Sequence, residues 1–170
     1  GGTGSPSPEP TRSAGPSSGP TSTPGGIEHP TGATDVVLRL EEGGGLVPLG
    51  FFAGQAPTFT LYGDGTVIYR NVRAAAPPPV GGVQPERPFL IVRLFEDQVQ
   101  ELLAFAIGPG GLGVARPAYA PGNVMDAGTS IFDLAAGGIQ KRVSVVALGF
   151  DNPQSSDVII LRALARLGDR

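Results

Sequence analysis

Apolar and polar residues alternate with period two over Pro57 to Asn71, PTFTLYGDGTVIYRN, the strongest short-range signal in the chain. Phe59, Leu61, Val67 and Tyr69 fall on one side of that pattern, Thr60, Tyr62, Thr66 and Ile68 on the other. Gly63-Asp64-Gly65 stands between the two runs with two residues free to take positive φ, so the stretch predicts a β-hairpin. Upstream, Asp35 to Glu42 sets Val37 and Arg39 against Val36, Leu38 and Leu40, a first strand closed by Gly43-Gly44-Gly45. Leu46 to Ala56 is apolar but broken by Pro48, Gly50 and Gly54. It is expected to cross the core as an irregular connection with Phe51 or Phe52 buried.

Downstream, Phe89 to Leu94 reads as a short strand, and the period then changes. Over Glu96 to Ile107, Val99, Leu102, Leu103 and Ala106 recur at helical spacing, with Asp97, Gln98, Gln100 and Glu101 opposite. Glu96 and Asp97 favour the helix start electrostatically, and Gly108-Pro109-Gly110 ends it. Thr129 to Leu134 and Gln140 to Leu148 predict a second hairpin turning at Ala135 to Gly138. Asp157 to Leu167 predicts a second helix capped by Ser155 or Ser156. Val158, Leu161 and Ala165 share one side of it, flanked by Ile160, Leu164 and Leu167. Gly111 to Asp126 is expected to be loop, as is the Pro-rich connection after Asn71, where Pro77-Pro78-Pro79 favours polyproline II. Hairpins with helices interspersed predict an α+β domain, a mostly antiparallel sheet with two helices packed on one face.

Composition divides the chain. Up to Gly26 every residue except Glu9, Arg12 and Ala14 is Gly, Ser, Thr or Pro, with no apolar surface to offset the entropy of ordering. Residues 1–33 are therefore expected to form a disordered stalk, and residues 34–170 one domain. A net charge of −3 without a basic stripe argues against nucleic acid. No run of about 18 apolar residues is present to span a bilayer. With no cysteine, the chain has neither disulfide nor thiol nucleophile. A stalk of this composition before a cysteine-free domain resembles the segment after the lipidated cysteine of bacterial lipoproteins. The expected location is then outside the cytoplasm, membrane contact being only through an upstream lipid anchor; a secreted protein is the alternative.

PTFTLYGDGTVIYRN, VRLFEDQVQELLAFA and DAGTSIFDLAAGGIQKRVSVVALG together resemble an uncharacterised family of bacterial extracytoplasmic and lipoprotein domains. That family carries a Tyr-Gly-Asp-Gly-Thr-Val hairpin, a helix with a Val-x-x-Leu-Leu core, an Asp-containing turn, a hairpin and a closing helix. The resemblance spans most of Asp35 to Arg170 and implies fold and location, not an activity. Phe95 departs from the family's small residue before the helix, and cysteines that some members carry ahead of the hairpin are absent.

Chemistry-bearing residues are sparse. His29 is the sole histidine, expected to be a solvated linker residue, and one histidine is too few for a His-based metal site. Asp64 fits a turn residue bonding its own backbone. Asp126, where a long loop enters a strand, is the better carboxylate candidate for calcium or substrate, though no Ca²⁺-loop spacing surrounds it. Arg70, Arg73, Arg87 and Arg93 are candidates for an anion patch, against a solvated strand face. Phe51, Phe52 and Pro78, with Arg87 and Arg93, are the candidate partner-binding residues. The expectation is a binding module for an envelope protein or cell-wall component, without cofactor or catalytic residues. The alternatives are a carboxylate enzyme, which needs Asp64, Asp126 and Asp133 in one cleft, and an inhibitor-like domain inserting the Pro77 loop.

Overall fold

The computed structural model describes residues 25–44, 56–71, 74–75, 77–82, 87–120, 126–150 and 157–169. Seven strands and two helices follow one another: β1 Val36–Gly44, β2 Phe59–Tyr62, β3 Thr66–Arg70, β4 Phe89–Arg93, α1 Glu96–Ile107, β5 Ala118–Tyr119, β6 Gly128–Ala136, β7 Ile139–Val146 and α2 Val158–Gly168. The strands form one sheet in the order β4-β3-β2-β1-β6-β7-β5, antiparallel throughout except for β5 beside β7. This is the α+β arrangement the alternation predicts.

The period-two pattern sorts side chains between the faces. Leu61, Leu38, Leu134 and Lys141 are successive cross-strand partners on one face, with Phe59, Leu40, Phe132 and Val143 beside them. Onto that face α1 brings Val99, Leu103 and Ala106, and α2 brings Leu164 and Leu167, in one apolar cluster. α1 forms over the residues its spacing predicts. Phe95 supplies no side-chain cap, and the Gln98 side chain instead accepts the Phe95 N–H at 2.9 Å. In α2 the buried residues are Ala163, Leu164 and Leu167, with Leu161 and Ala165 half-buried. The buried stripe is thus centred on Leu164 and Leu167, two of the residues expected to flank Leu161 and Ala165, because the helix packs on the Gly111 turn and on Leu40 and Phe132.

Three further differences have physical causes. The loop after α1 contains β5, too short for any periodicity to betray it. The second hairpin turns on two residues, Gly137 and Gly138, both at positive φ as that tight turn requires, so β6 runs on to Ala136 and β7 starts at Ile139, while β7 ends at Val146, before Ala147 at φ +57°. His29 is no solvated linker residue: it is 2% exposed, its Nδ1 within 2.8 Å of Pro30 O and its Nε2 within 3.2 Å of Glu96 Oε1. Around it, Gln100 exchanges two hydrogen bonds with the Ile27 backbone, and Gly137 N–H donates to Glu28 O. Pro30 O and Gly32 O lie where a Cβ on Gly63 would stand, so the first hairpin's turn needs glycine for close approach. Packing therefore starts upstream of Thr34, at Ile27. The expected stalk before Gly25, the connection carrying Phe51 and Phe52, Arg73, and the expected caps Ser155 and Ser156 lie outside the described residues; the N-cap position of α2 is Asp157.

Candidate interaction face

β4 ends the sheet on one side, and its composition is unusual for that place. FLIVR is a continuous apolar run, the pattern of a strand covered on both faces. Yet only Phe89 within it is even half-buried; Leu90 is 41%, Ile91 70% and Val92 40% exposed. Phe95, two residues on, is 77% exposed.

Its register fixes what it presents. Ile91 pairs with Ile68, Leu90 with Tyr69, Val92 with Val67 and Phe89 with Arg70. Leu94 N–H donates to Gly65 O at 2.9 Å. Because hydrogen-bonded and non-bonded pairs alternate along an antiparallel ladder, Leu90 and Val92 direct their backbone groups at β3, and Phe89, Ile91 and Arg93 turn theirs outward. The edge thus combines outward backbone groups with apolar side chains on both faces, the combination sheet proteins ordinarily suppress.

On the helix-bearing face, α1 and α2 reach β1 and β2 but leave a groove of about 460 Å³ beside the end of α2. Phe59, Tyr69, Val92 and Leu94 form its apolar floor, with Arg70 and Asn71 at the rim. On the opposite face Arg70 lies across the Phe89 ring, its guanidinium carbon 4.4 Å from the centroid, a cation–π contact.

The structure places the remaining candidates as follows. Arg93, at the end of β4, is largely exposed and 3.9 Å from Asp64 Oδ2. Arg87, just before β4, donates through Nε to Ala74 O at 2.8 Å, and Pro78 is exposed in the same connection. Arg70, Arg87 and Arg93 therefore have three different acceptors or ring partners and do not converge on one anion site.

The carboxylates are equally dispersed. Asp64 accepts the Thr66 N–H at 2.9 Å in the β2–β3 turn, and the Thr66 backbone and side-chain hydrogen bonds hold its carboxyl below the ordinary range. It does so without a left-handed φ, which Gly65 takes at +84°. Asp133 lies on the outer face of β6 between Arg39 and Arg142, at 2.7 and 3.0 Å, and Glu41 joins the same ladder. The Asp133 hydrogen bond is the main cause raising the Arg39 pKa. Asp126 is exposed, at φ +61°, ahead of β6. Among the described residues no three of His, Asp and Glu gather in metal-binding geometry.

Two structural groups escape a reading of the sequence. The chain's one lysine, Lys141, sits on the core face of β7 and donates to Leu112 O, Gly113 O and Ala115 O at 3.0–3.1 Å, satisfying the turn after α1. Arg116 pairs with Asp157, stacks over Tyr119 and, through its N–H, donates to the Tyr119 hydroxyl at 2.7 Å, fastening β5 to the start of α2. Nothing in composition marks either. The exposure of β4 had one available signal, Pro88 and Arg93 bracketing the apolar run, since proline and charge belong to edges.

Comparison with protein-family models, with curated proteins and with solved structures finds no match for this chain.

Proposed function

We propose that this protein is a non-enzymatic interaction module of the bacterial cell envelope, held outside the cytoplasm, and that it binds a protein partner along the β3–β4 side of its sheet. The observation that carries this reading is β4, an apolar edge strand with Ile91 70% exposed and its backbone groups turned outward. Exposed apolar surface that adjoins unpaired backbone recognises an extended strand, the backbone giving affinity and side chains the specificity. The groove over Tyr69 and Val92 widens that surface on one face, and Arg70 and Phe89 on the other. The envelope location rests on the Gly/Ser/Thr/Pro-rich segment before Gly26 and on the family resemblance of the hairpin motif.

A carboxylate-based reaction draws no such support. Asp64 and Asp133 are each engaged in separate turn and ladder contacts, and Asp126 stands apart at the entry to β6.

The test is site-specific photo-crosslinking of the full chain in native envelopes, with the reactive residue at position 91 or at position 159. Ile159 is an equally exposed apolar residue on α2. Discrete adducts at position 91 and none at 159 are expected. Adducts at 159 alone, or at neither, overturn the proposal.

A further inference from the structure

β4 and its flanks read Arg87-Pro88-Phe89-Leu90-Ile91-Val92-Arg93-Leu94-Phe95. Folding that stretch back on itself about Ile91 sets Leu90 opposite Val92, Pro88 opposite Leu94, Phe89 opposite Arg93 and Arg87 opposite Phe95. Every apolar aliphatic residue then meets another apolar residue, and every arginine meets an aromatic ring. Resting on the interaction-face reading above, we infer that the occupant of the β4 edge is a second copy of this chain, paired antiparallel about a two-fold axis through Ile91.

The backbone supports that register. Phe89, Ile91 and Arg93 are the residues whose N–H and C=O turn outward, and the two-fold pairs them with the second copy's Arg93, Ile91 and Phe89, which turn outward too. Each outward group therefore finds a hydrogen-bonding mate. The side chains repeat a contact the protein already makes. Arg70 and Phe89 are cross-strand neighbours with the guanidinium over the ring, and the second copy's Arg93 comes to the other side of the same ring.

Alternative registers lose this match. Sliding two residues one way sets Arg93 opposite the second copy's Arg87. Sliding two the other way sets Arg93 opposite Ile91 and leaves it without an aromatic. A slip of one residue brings outward backbone groups against inward ones and exchanges the faces.

The contact also closes. A two-fold uses the same edge on both copies, and the far edge of the sheet is the two-residue β5, too short to recruit another strand. The product is a dimer with a continuous sheet, not a fibre. The paired stretch is short against the roughly 800 Å² per partner of a standard interface, so association is expected in the micromolar range.

Sedimentation equilibrium of the full chain from ~1 to ~500 µM is expected to show a reversible monomer–dimer transition. Ile91→Lys, which places like charges on the axis at an exposed position, is expected to weaken it at least ~10-fold with the circular dichroism and thermal midpoint of the fold retained. The absence of native cysteine makes the register directly readable. Ile91→Cys should oxidise to a disulfide dimer, since hydrogen-bonded antiparallel partners stand ~5.5 Å apart at Cα, inside the disulfide range. Phe89→Cys alone should not, whereas Phe89→Cys mixed with Arg93→Cys should form the mixed dimer.

A monomer over the whole range, with no disulfide at position 91, overturns the second-copy inference. If photo-adducts at position 91 to a different protein persist in that case, the interaction face stands and only the identity of its occupant is wrong. If they are absent as well, both fall. Equal disulfide formation by an Ile159→Cys variant marks random collision and also overturns the inference.

Discussion

β5 and β4 bound the same sheet, yet β5 is two residues long and β4 five, and β5 is fastened to the start of a helix, Tyr119 through Arg116 to Asp157, whereas the ties of β4, Phe89 to Arg70 and Arg93 to Asp64, stay within β3 and its turn. Tyr119 of β5 is buried, its hydroxyl accepting the Arg116 N–H, while Arg116 reaches Asp157 at the start of α2. Beside β5, Phe132 of β6 and Val143 and Val145 of β7 are buried in the same apolar cluster as the core residues of both helices. β4 is also rich in apolar side chains, but Leu90, Ile91 and Val92 remain 41%, 70% and 40% exposed. One sheet thus carries its stability on the β1–β6–β7 side and its unused apolar surface on the β3–β4 side. Apolar residues do not by themselves make a core; the second layer that covers them does.

The sharpest way to break that contrast is truncation on each side. Phe132→Ala removes a ring buried between both helices and should cost about 3–5 kcal/mol, whereas Ile91→Ala should stay within about 0.5 kcal/mol when unfolding is followed in urea at micromolar or lower protein concentration. Comparable losses at the two sites would mean that β4 is covered in solution. Smaller, and confined to the covered side, is Lys141→Met. It leaves three carbonyls of the post-α1 turn without their donor, and a loss of about 1–3 kcal/mol is expected, read from the same unfolding curves.

The smallest effect belongs to the β2–β3 turn beside the open edge. The Thr66 hydrogen bonds, with a lesser contribution from Arg93, keep the Asp64 carboxyl below its ordinary range in the folded state. A depressed folded value contributes stability above the unfolded value of 3.8, and that contribution is lost as pH falls through the folded one. The gap between the parent and Asp64→Ala urea midpoints should therefore be present at about pH 6 and shrink steadily below about pH 4. A gap independent of pH would show that the side chain acts through packing alone.

How much of this was legible followed from which interactions are local. The YGDGTV hairpin and the 96–107 helix were readable because their determinants, alternation and turn glycines in one case and a 3.6 period in the other, lie within a dozen residues. Which part of the α2 apolar surface is buried deepest is not readable locally, because its facing partners, the Gly111 turn and Leu40, are distant in sequence. His29 reads as a linker residue in the sequence because its partner Glu96 is 67 positions away. The candidate face was half visible: Arg87, Arg93 and Pro78 do lie on β4 or the connection before it, but the strand between them carries the exposed surface. A continuous apolar run reads the same whether covered or bare, since its covering is supplied by other elements.

The anchoring of Ile27 to Pro30 sets where mechanical load enters the molecule. Tension on the chain ahead of Ile27 reaches first the two Gln100 bonds, the Glu28–Gly137 bond and the buried imidazole, which together grip α1 and the β6–β7 turn at once. Glu96 stands only three residues past the end of β4, so the same clasp ties the Ile27–Pro30 segment to the start of α1 close to that edge. A pull on the backbone at Ile27 would be shared by these bonds before it reached the β3–β4 ladder.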